Sequence, residues 1–330
     1  MPARKIEIFA DAGVADTIQA VAENKDVLSC SITTTEDGQC VAHLVVGAGD
    51  RQELIDQLQK GMGGTPNWRI VILPVEATIP TLESDAGAEG LKPTKTGATR
   101  EELYLNVTRG TSISREYVTL VVLSTIVAAI GLIESNTAVV IGAMVIAPLL
   151  GPNLALTLAA ALGDRRLAVD ALAALGVGIV LAVALAAAVG VVSRIDLDSH
   201  ELLMRSHVSM DSAVLALASG AAAALSVSSG LSSALVGVMV AVALLPPATA
   251  IGLFIAAGRP DLAIGAALLL TVNVASVNLA GQIVFIVRGV RPRSWLEKRS
   301  ASQSTLLSIA VWLALLALLL GAVWLRALSS

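Results

Sequence analysis

Two stretches of this chain repeat one pattern of apolar, glycine and proline positions 95 residues apart. The first, GAMVIAPLLGP, covers residues 142–152 and runs on to Gly163; the second, GVMVAVALLPP, covers 237–247 and runs on to Gly258. Aligned without a gap from Gly142 to Ala168, 12 of 27 positions are identical. A composition this rich in Ala, Leu and Val gives roughly four such matches by chance, so the pattern points to an internal duplication. Around these stretches the apolar runs are long. The spans expected are Tyr117–Ile133, Thr137–Leu162, Leu167–Val192, Ser212–Ser229, Ser233–Ala257, Leu262–Val287 and Thr305–Leu325. Each is long enough for a hydrocarbon core about 30 Å thick.

The first 80 residues read differently. Short alternating runs at Lys5–Phe9, Val27–Thr34, Gln39–Val46 and Arg69–Val75 predict strands, with Asp37-Gly38 as a hairpin turn. Helical spacing places Ile18, Val21 and Ala22 on one face of Val14–Asn24. It places Leu54, Ile55 and Leu58 on one face of a helix capped by Asp50 and stopped by Gly61. The order βαββαβ is that of a ferredoxin-like sandwich. The fold class expected is therefore a mainly α-helical polytopic membrane protein of about seven spans, an inverted 3+3 repeat plus one, behind an N-terminal α+β ferredoxin-like domain.

The domain plan follows. Residues 1–80 form a cytoplasmic domain, and 81–116 a Pro/Gly/Ser-rich linker with an interfacial elbow helix, for which Thr99 and Glu102 make a capping box. Residues 117–192 are the first membrane repeat, 193–211 an exterior loop and 212–287 the second repeat. A basic cytoplasmic loop at 288–304 leads to a final span at 305–330.

Composition sharpens this division. Residues 1–117 carry 11 Lys+Arg and 17 Asp+Glu, against 11 and 9 in the remainder. An acidic front domain excludes nucleic acid as a partner. The lipid bilayer is the partner expected, in the cell (inner) membrane, with no signal peptide evident. Basic residues flank the proposed inner side at Arg109, Arg115, Arg165, Arg166, Arg288, Arg291, Arg293, Lys298 and Arg299. Only Arg194, Arg205, Arg259 and Arg326 flank the other, so the N-terminus is expected inside. Cys30 and Cys40 are the only cysteines and read as reduced structural thiols. No metal or cofactor is expected. In the soluble part, residues 61–64 read as a helix stop rather than an anion cradle, and His43 as a packed or surface strand residue.

Candidate chemistry lies at the repeated stretches. Pro148, Pro152, Pro246 and Pro247 each lack the backbone N–H that a helix needs and free a carbonyl one turn back. Such backbone is tolerated in a membrane only when buried in protein or lining a wet cavity, and interrupted segments in two halves mark a solute site. With Gly151 adding flexibility, the substrate-binding set expected is Pro148, Gly151, Pro152, Asn153, Pro246, Pro247, Thr249, Asn273, Ser276 and Asn278. On the sixth span, Thr271, Asn278 and Gln282 fall within about 40° of each other, with Asn273 and Ser276 on the other side. Glu134, Ser135 and Asn136 form the turn between the first two spans and read either as an exposed cap or as an entrance. No carboxylate, Lys, Arg or His lies deep in a span, so uncharged groups do any binding and a buried-acid proton relay is not expected.

Residues 124–133, Ser135, residues 141–152, residues 237–247 and Asn273–Gly281 resemble the prokaryotic membrane family called "domain of unknown function 389". The resemblance covers about Thr99–Val287. It implies a multi-spanning hydrophobic domain, often with a soluble domain attached, and brings no established activity; its pattern often lacks an acid in the place of Glu134. Three readings result. The first is a transporter or channel for a small polar solute or ion, regulated by the cytoplasmic domain. The second is a membrane-anchored metabolite sensor or oligomeric scaffold without transport. The third, an intramembrane enzyme, has no paired catalytic groups to support it, so the chain is read as not an enzyme. Small-residue-rich spans lead us to expect a homo-oligomer. An odd number of spans per copy inverts the second copy, unless each interrupted segment re-enters instead of crossing.

Overall fold

The computed structural model describes residues 3–23, 27–35, 37–47, 51–75, 100–193, 199–229 and 233–290, and parts of 308–321; side chains at 100, 101 and 233–243 are outside that description. Also outside it lie the linker at 77–98, Thr99, Asp50 and most of the expected final span. The chain divides into two compact units, Met1–Arg100 and Glu101–Ser330.

The first unit has the expected order: β1 (Arg4–Asp11), α1 (Ala15–Glu23), β2 (Val27–Thr34), β3 (Gln39–Val46), α2 (Arg51–Gly61) and β4 (Arg69–Pro74). Its strands form one antiparallel sheet in the order β2-β3-β1-β4, with Ile6 opposite Leu44 and Ile72. Gly38, at φ 75°, turns the β2–β3 hairpin, and its carbonyl accepts from the Ala12 N–H at 2.9 Å, tying the turn to the end of β1. Alternation along β1 and β3 buries Ile6, Ile8, Ala42 and Leu44 completely. Ile18 from α1 and Leu54, Ile55 and Leu58 from α2 cover them. Each such side chain contributes about 1.5–3 kcal/mol by leaving water. Gly61 does end α2, and Met62 beyond it is buried, so the 61–64 loop is a packed helix stop. His43 sits on the opposite sheet face with Nδ1 3.5 Å from Glu7, whose carboxyl is held below its usual range first by the Lys5 hydrogen bond. Both cysteines are free, Cys30 exposed and Cys40 buried.

The second unit is helical: α3 (Arg100–Arg109), α4 (Arg115–Ile133), α5 (Thr137–Ile146), α6 (Leu150–Leu162), α7 (Arg165–Val192), the short α8 (His200–Leu203), α9 (Met210–Ser228), α10 (Ser233–Ala256) and α11 (Pro260–Val287). Polar caps start them: Ser114 for α4, Asn136 for α5, Asp164 for α7 and Ser209 for α9 each accept a first-turn N–H. Among the described residues, α4, α7, α9 and α11 are long and apolar enough to cross a membrane, and the α5–α6 pair makes five if it counts as one span.

The element boundaries repeat with the sequence. Helix α9 starts and ends 95 residues after α4, and α11 starts and ends 95 residues after α7. Gly163 and Gly258, also 95 apart, both end a helix in the left-handed region, at φ 70° and 68°.

The interrupted segments, however, do not behave alike. Between α5 and α6 the chain breaks at Ala147, which adopts extended backbone (φ −63°, ψ 126°), and the two helices meet at 59°. Pro148 explains this, since its ring disfavours helical backbone in the residue before it. In the second copy Pro246 and Pro247 lie inside one continuous helix, α10, which corrects the expectation of two matching breaks. The prolines of the first copy stand four residues apart and remove bonds from two successive turns, those of the Met144 and Pro148 carbonyls. The adjacent pair in α10 removes bonds from the Val242 and Ala243 carbonyls of a single turn, which a helix can bridge.

Candidate functional site

The polar side chains of the helical unit meet where α6 passes α11. Asn153 lies one turn into α6 and Thr157 one turn further along the same face; Asn278 on α11 is set against both. All three are fully buried. Asn278 Oδ1 shares the single Thr157 hydroxyl proton with the Asn153 carbonyl, each at 2.9 Å. The Asn278 Nδ2 donates to Asn153 Oδ1 at 2.7 Å and to the Val274 carbonyl at 2.8 Å. The Val274 carbonyl fixes the direction of the network. It can only accept, so Asn278 must turn its nitrogen that way and its oxygen to Thr157. Asn153 must then present oxygen to Asn278. The consequence is that Asn153 Nδ2 is buried with no hydrogen-bond partner. An unmet amide donor in such a site carries a penalty of about 1–3 kcal/mol.

The helices come this close because small residues allow it. Gly281, one turn past Asn278, faces the Thr157 methyl, where an added Cβ would stand 2.7 Å from Cγ2. One turn back on the same side of α11, Gly220 of α9 lies against the Val277 backbone, where a Cβ would stand 2.5 Å from its carbonyl oxygen. Helix α11 is accordingly the most enclosed of the four long helices.

The expected site residues distribute unevenly. Pro152, Asn153, Pro246, Pro247, Thr249, Asn273, Ser276 and Asn278 are buried, and Pro148 and Gly151 are partly so. Leu244, Leu245 and Ala248, around the α10 prolines, share one apolar cluster with Ala147, Leu149, Leu150 and Leu154 at the break. Thr249 returns its hydroxyl to the Leu245 carbonyl at 2.9 Å. Asn273 and Ser276 are buried about 140° and 160° around α11 from Asn278 and so face other neighbours. Gln282, also buried, accepts from Ser308 at 3.4 Å. Thr271 does not join the stripe expected of it: it is exposed and bonds back to the Ala267 carbonyl.

Gly151 also needs correction. Its role is contact rather than flexibility: it lies back to back with Gly110, and a Cβ on either would come within 2.7–2.9 Å of the other's Cα. Gly110 follows α3, whose Tyr104 donates to Asp164 Oδ2 at 3.0 Å. These contacts tie the elbow to the start of α6 at Gly151 and to the cap of α7 at Asp164, with Leu103 and Val107 buried and Leu105 exposed. Burial, then the Asp164 bond, holds the Tyr104 hydroxyl above the usual tyrosine range.

At the turn between α4 and α5, Glu134 is exposed at the end of α4, and Asn136 accepts from Val139 N. Ser135 (φ 50°) bonds the Ser199 hydroxyl at 2.7 Å, and Thr137 donates to Glu201 at 2.6 Å, so the α8 segment straps this turn. Thr157, Tyr104, Gly110 and Ser199 were absent from the sequence reading. The i, i+4 spacing of Asn153 and Thr157 was the one available signal.

The profile of the family described as "Domain of unknown function (DUF389)" matches residues 144–279, a range that holds the break and the whole amide network. An uncharacterized protein of Methanocaldococcus jannaschii is 35% identical over 266 residues, covering 81% of this chain and 82% of its own. The chain belongs to the DUF389 family. No solved structure matches it.

Proposed function

We propose that this protein is a membrane transporter or channel for a small polar solute or ion, with its site at the broken α5–α6 segment and the amide network beside it. The carrying observation is the buried, wholly uncharged cluster of Asn153, Thr157 and Asn278, which leaves one amide donor unmet just inside a helix break. Groups that serve only to join helices are expected to satisfy one another. A donor left open in an apolar surround, one turn past a break at which Pro148 deprives the Met144 carbonyl of its helical bond, suits a guest that comes and goes.

The duplication supports the same reading. Thr157, Asn278 and Gly281 correspond at 95 residues to Gly252, Val183 and Ala186. Gly252 in turn packs against the Val183 carbonyl and Ala186. The α6–α11 contact thus recurs, in the same register, as α10–α7, as two copies related by a pseudo-two-fold axis require. Three helical passes per copy make that axis lie in the membrane plane, with the N-terminal unit inside the cell. A 59° bend falls well short of the reversal a re-entrant hairpin needs, which favours a crossing. Because the linker leads into α3, and Gly110 just past α3 meets Gly151 of α6, the N-terminal unit has a route by which to regulate the site.

The test is flux of small polar solutes and ions into proteoliposomes holding the full chain, compared with Asn278→Leu. The expected result is flux above empty vesicles for at least one solute, lost in the variant. Folded protein that moves nothing in a broad panel, yet melts at a higher temperature with a metabolite, would leave the sensor reading in its place.

A further inference from the structure

We infer that the N-terminus of α6 is a binding site for a small monovalent anion, with Asn153 as its side-chain donor; this names the solute class of the proposed transport site and rests on that reading. The break makes a new helix of 13 residues begin at Leu150, in the interior of the unit. Its capping position is Leu149, which offers no side-chain acceptor. Leu150 and Gly151 carry first-turn N–H groups with no in-helix acceptor, Pro152 carries none, and the Asn153 N–H reaches the Leu149 carbonyl at 3.3 Å. These groups and the helix dipole put about half a positive charge at the break.

Asn153 is the independent observation. It is 0% exposed, and its Nδ2 has no partner because the Val274 carbonyl fixes the polarity of the network. Helix side chains lean toward the N-terminus, so this amide reaches back over the turn that opens α6. At the carbonyl end of α5, Val145 and Ile146 are exposed while Met144 and Ala147 are buried; at the amide end of α6, Leu149, Leu150, Pro152 and Asn153 are buried and Gly151 partly so. The buried side-chain atom left open beside the break is a donor, Asn153 Nδ2, and its complement is an acceptor. Among the described residues of this unit no Lys or Arg is buried. Half a charge and a few N–H groups can balance a single negative charge but not a phosphate ester, which calls for Arg or Lys.

The experiment uses the full chain with nitrate and chloride as probes. Thermal melting in detergent is recorded against nitrate concentration, with gluconate at matched ionic strength as the control. Nitrate flux is recorded in proteoliposomes with the potential clamped. We expect a saturable nitrate shift that chloride competes away, and nitrate flux. Asn153→Ser should raise the apparent nitrate dissociation constant at least about tenfold, the effect of losing one hydrogen bond to a charged group. Should the serine variant not fold, Asn153→Asp keeps the shape but offers acceptors, and abolishes the shift. A nitrate shift unchanged in these variants overturns the assignment. So does wild-type flux of neutral polar solutes that no anion binds or competes with, while transport itself stands. A shift lost with Asn153→Ser but no flux of any solute keeps the anion site and retires transport.

Discussion

Replacing Asn278 by leucine removes two hydrogen bonds, to Asn153 at 2.7 Å and to the Val274 carbonyl at 2.8 Å, and its share of the Thr157 proton, which stays with the Asn153 carbonyl at 2.9 Å. In a membrane each full bond is worth about 0.6 kcal/mol net, so the bonds alone account for roughly 1.5 kcal/mol. The larger effect falls on Asn153. Its Nδ2 already lacks a partner, and the variant strips its Oδ1 as well, adding about 1–3 kcal/mol for a buried amide with nothing to bond. Asn278→Leu should therefore destabilise the unit by about 2.5–4.5 kcal/mol. Asn153→Leu removes the unmet donor along with its bond to Asn278 and should be milder, at about 1–2 kcal/mol. In the double variant no orphaned Asn153 remains, so its loss should fall short of the sum by at least about 1 kcal/mol. The assay is reversible unfolding of the full chain in mixed micelles for all four proteins of the cycle. Losses that add to within about 0.5 kcal/mol would refute a coupled network pinned by Val274.

Three further outcomes are expected. Gly110→Ala puts a Cβ about 2.7 Å from the Gly151 Cα, where backbone cannot give way. It should cost about 1–3 kcal/mol and expose α3 to protease, whereas Gly142→Ala, with nothing within 4 Å, should leave melting unchanged. Tyr104, raised first by burial, keeps its proton in the folded chain beyond the pH at which the unfolded chain loses it. Its contribution is complete below the free tyrosine value of about 10 and fades as pH climbs past it. Tyr104→Phe should lower stability by about 1 kcal/mol at neutral pH and flatten that alkaline decline in melting scans. Finally, Cys30 is exposed and Cys40 buried. An impermeant maleimide should thus mark Cys30 in inside-out vesicles and not in right-side-out ones; the reverse pattern overturns the cytoplasmic N-terminus. Alkaline conditions help, since partial desolvation of the otherwise exposed thiol, and then Glu23, hold Cys30 above its usual range.

Local chemistry was the legible part of the chain. Alternation flanking Asp37-Gly38 located β2 and β3 to the residue, because a type of turn and a period of two leave little choice of register. The duplication was legible for a similar reason, since a helix stop in the left-handed region favours glycine, as at 163 and 258. What failed was the inference from proline to break. Proline dictates which carbonyls lose a bond, but whether the helix parts depends on how many successive turns are affected and on packing around them. Leu245, before Pro246, stays helical with Leu244 and Ala248 fully buried about it. Thr271 failed because an angular stripe cannot say which side of a nearly enclosed helix meets the surface. Gly151 was misread because its partner Gly110 is forty-one positions away, and close approach between backbones leaves no periodic trace.

The two equivalent junctions, alike in register, differ in what fills them, and that difference bears on how the protein would move. At α7–α10 the space is closed by backbone: Gly252 sits on the Val183 carbonyl and Ala186 beside it. At α6–α11 the same positions hold Thr157, Asn278 and Gly281, and the helices are bridged by hydrogen bonds that can be exchanged for a ligand's. The half with the backbone seal also has the unbroken helix, α10, and the half with the polar bridge has the hinge at Ala147. Packed backbone resists displacement, whereas a 59° joint with extended φ and ψ is already where a helix bends. If the protein carries a solute, the moving part is then α5–α6, and the second copy is the frame against which it moves. Symmetric rocking of equal halves, the simplest expectation from a duplicated sequence, does not suit this asymmetry. The elbow falls into place on the same account. Gly110, just past α3, touches the segment that must shift at Gly151, Tyr104 of α3 holds the Asp164 cap that follows it, and α3 is the helix into which the linker from the N-terminal unit runs.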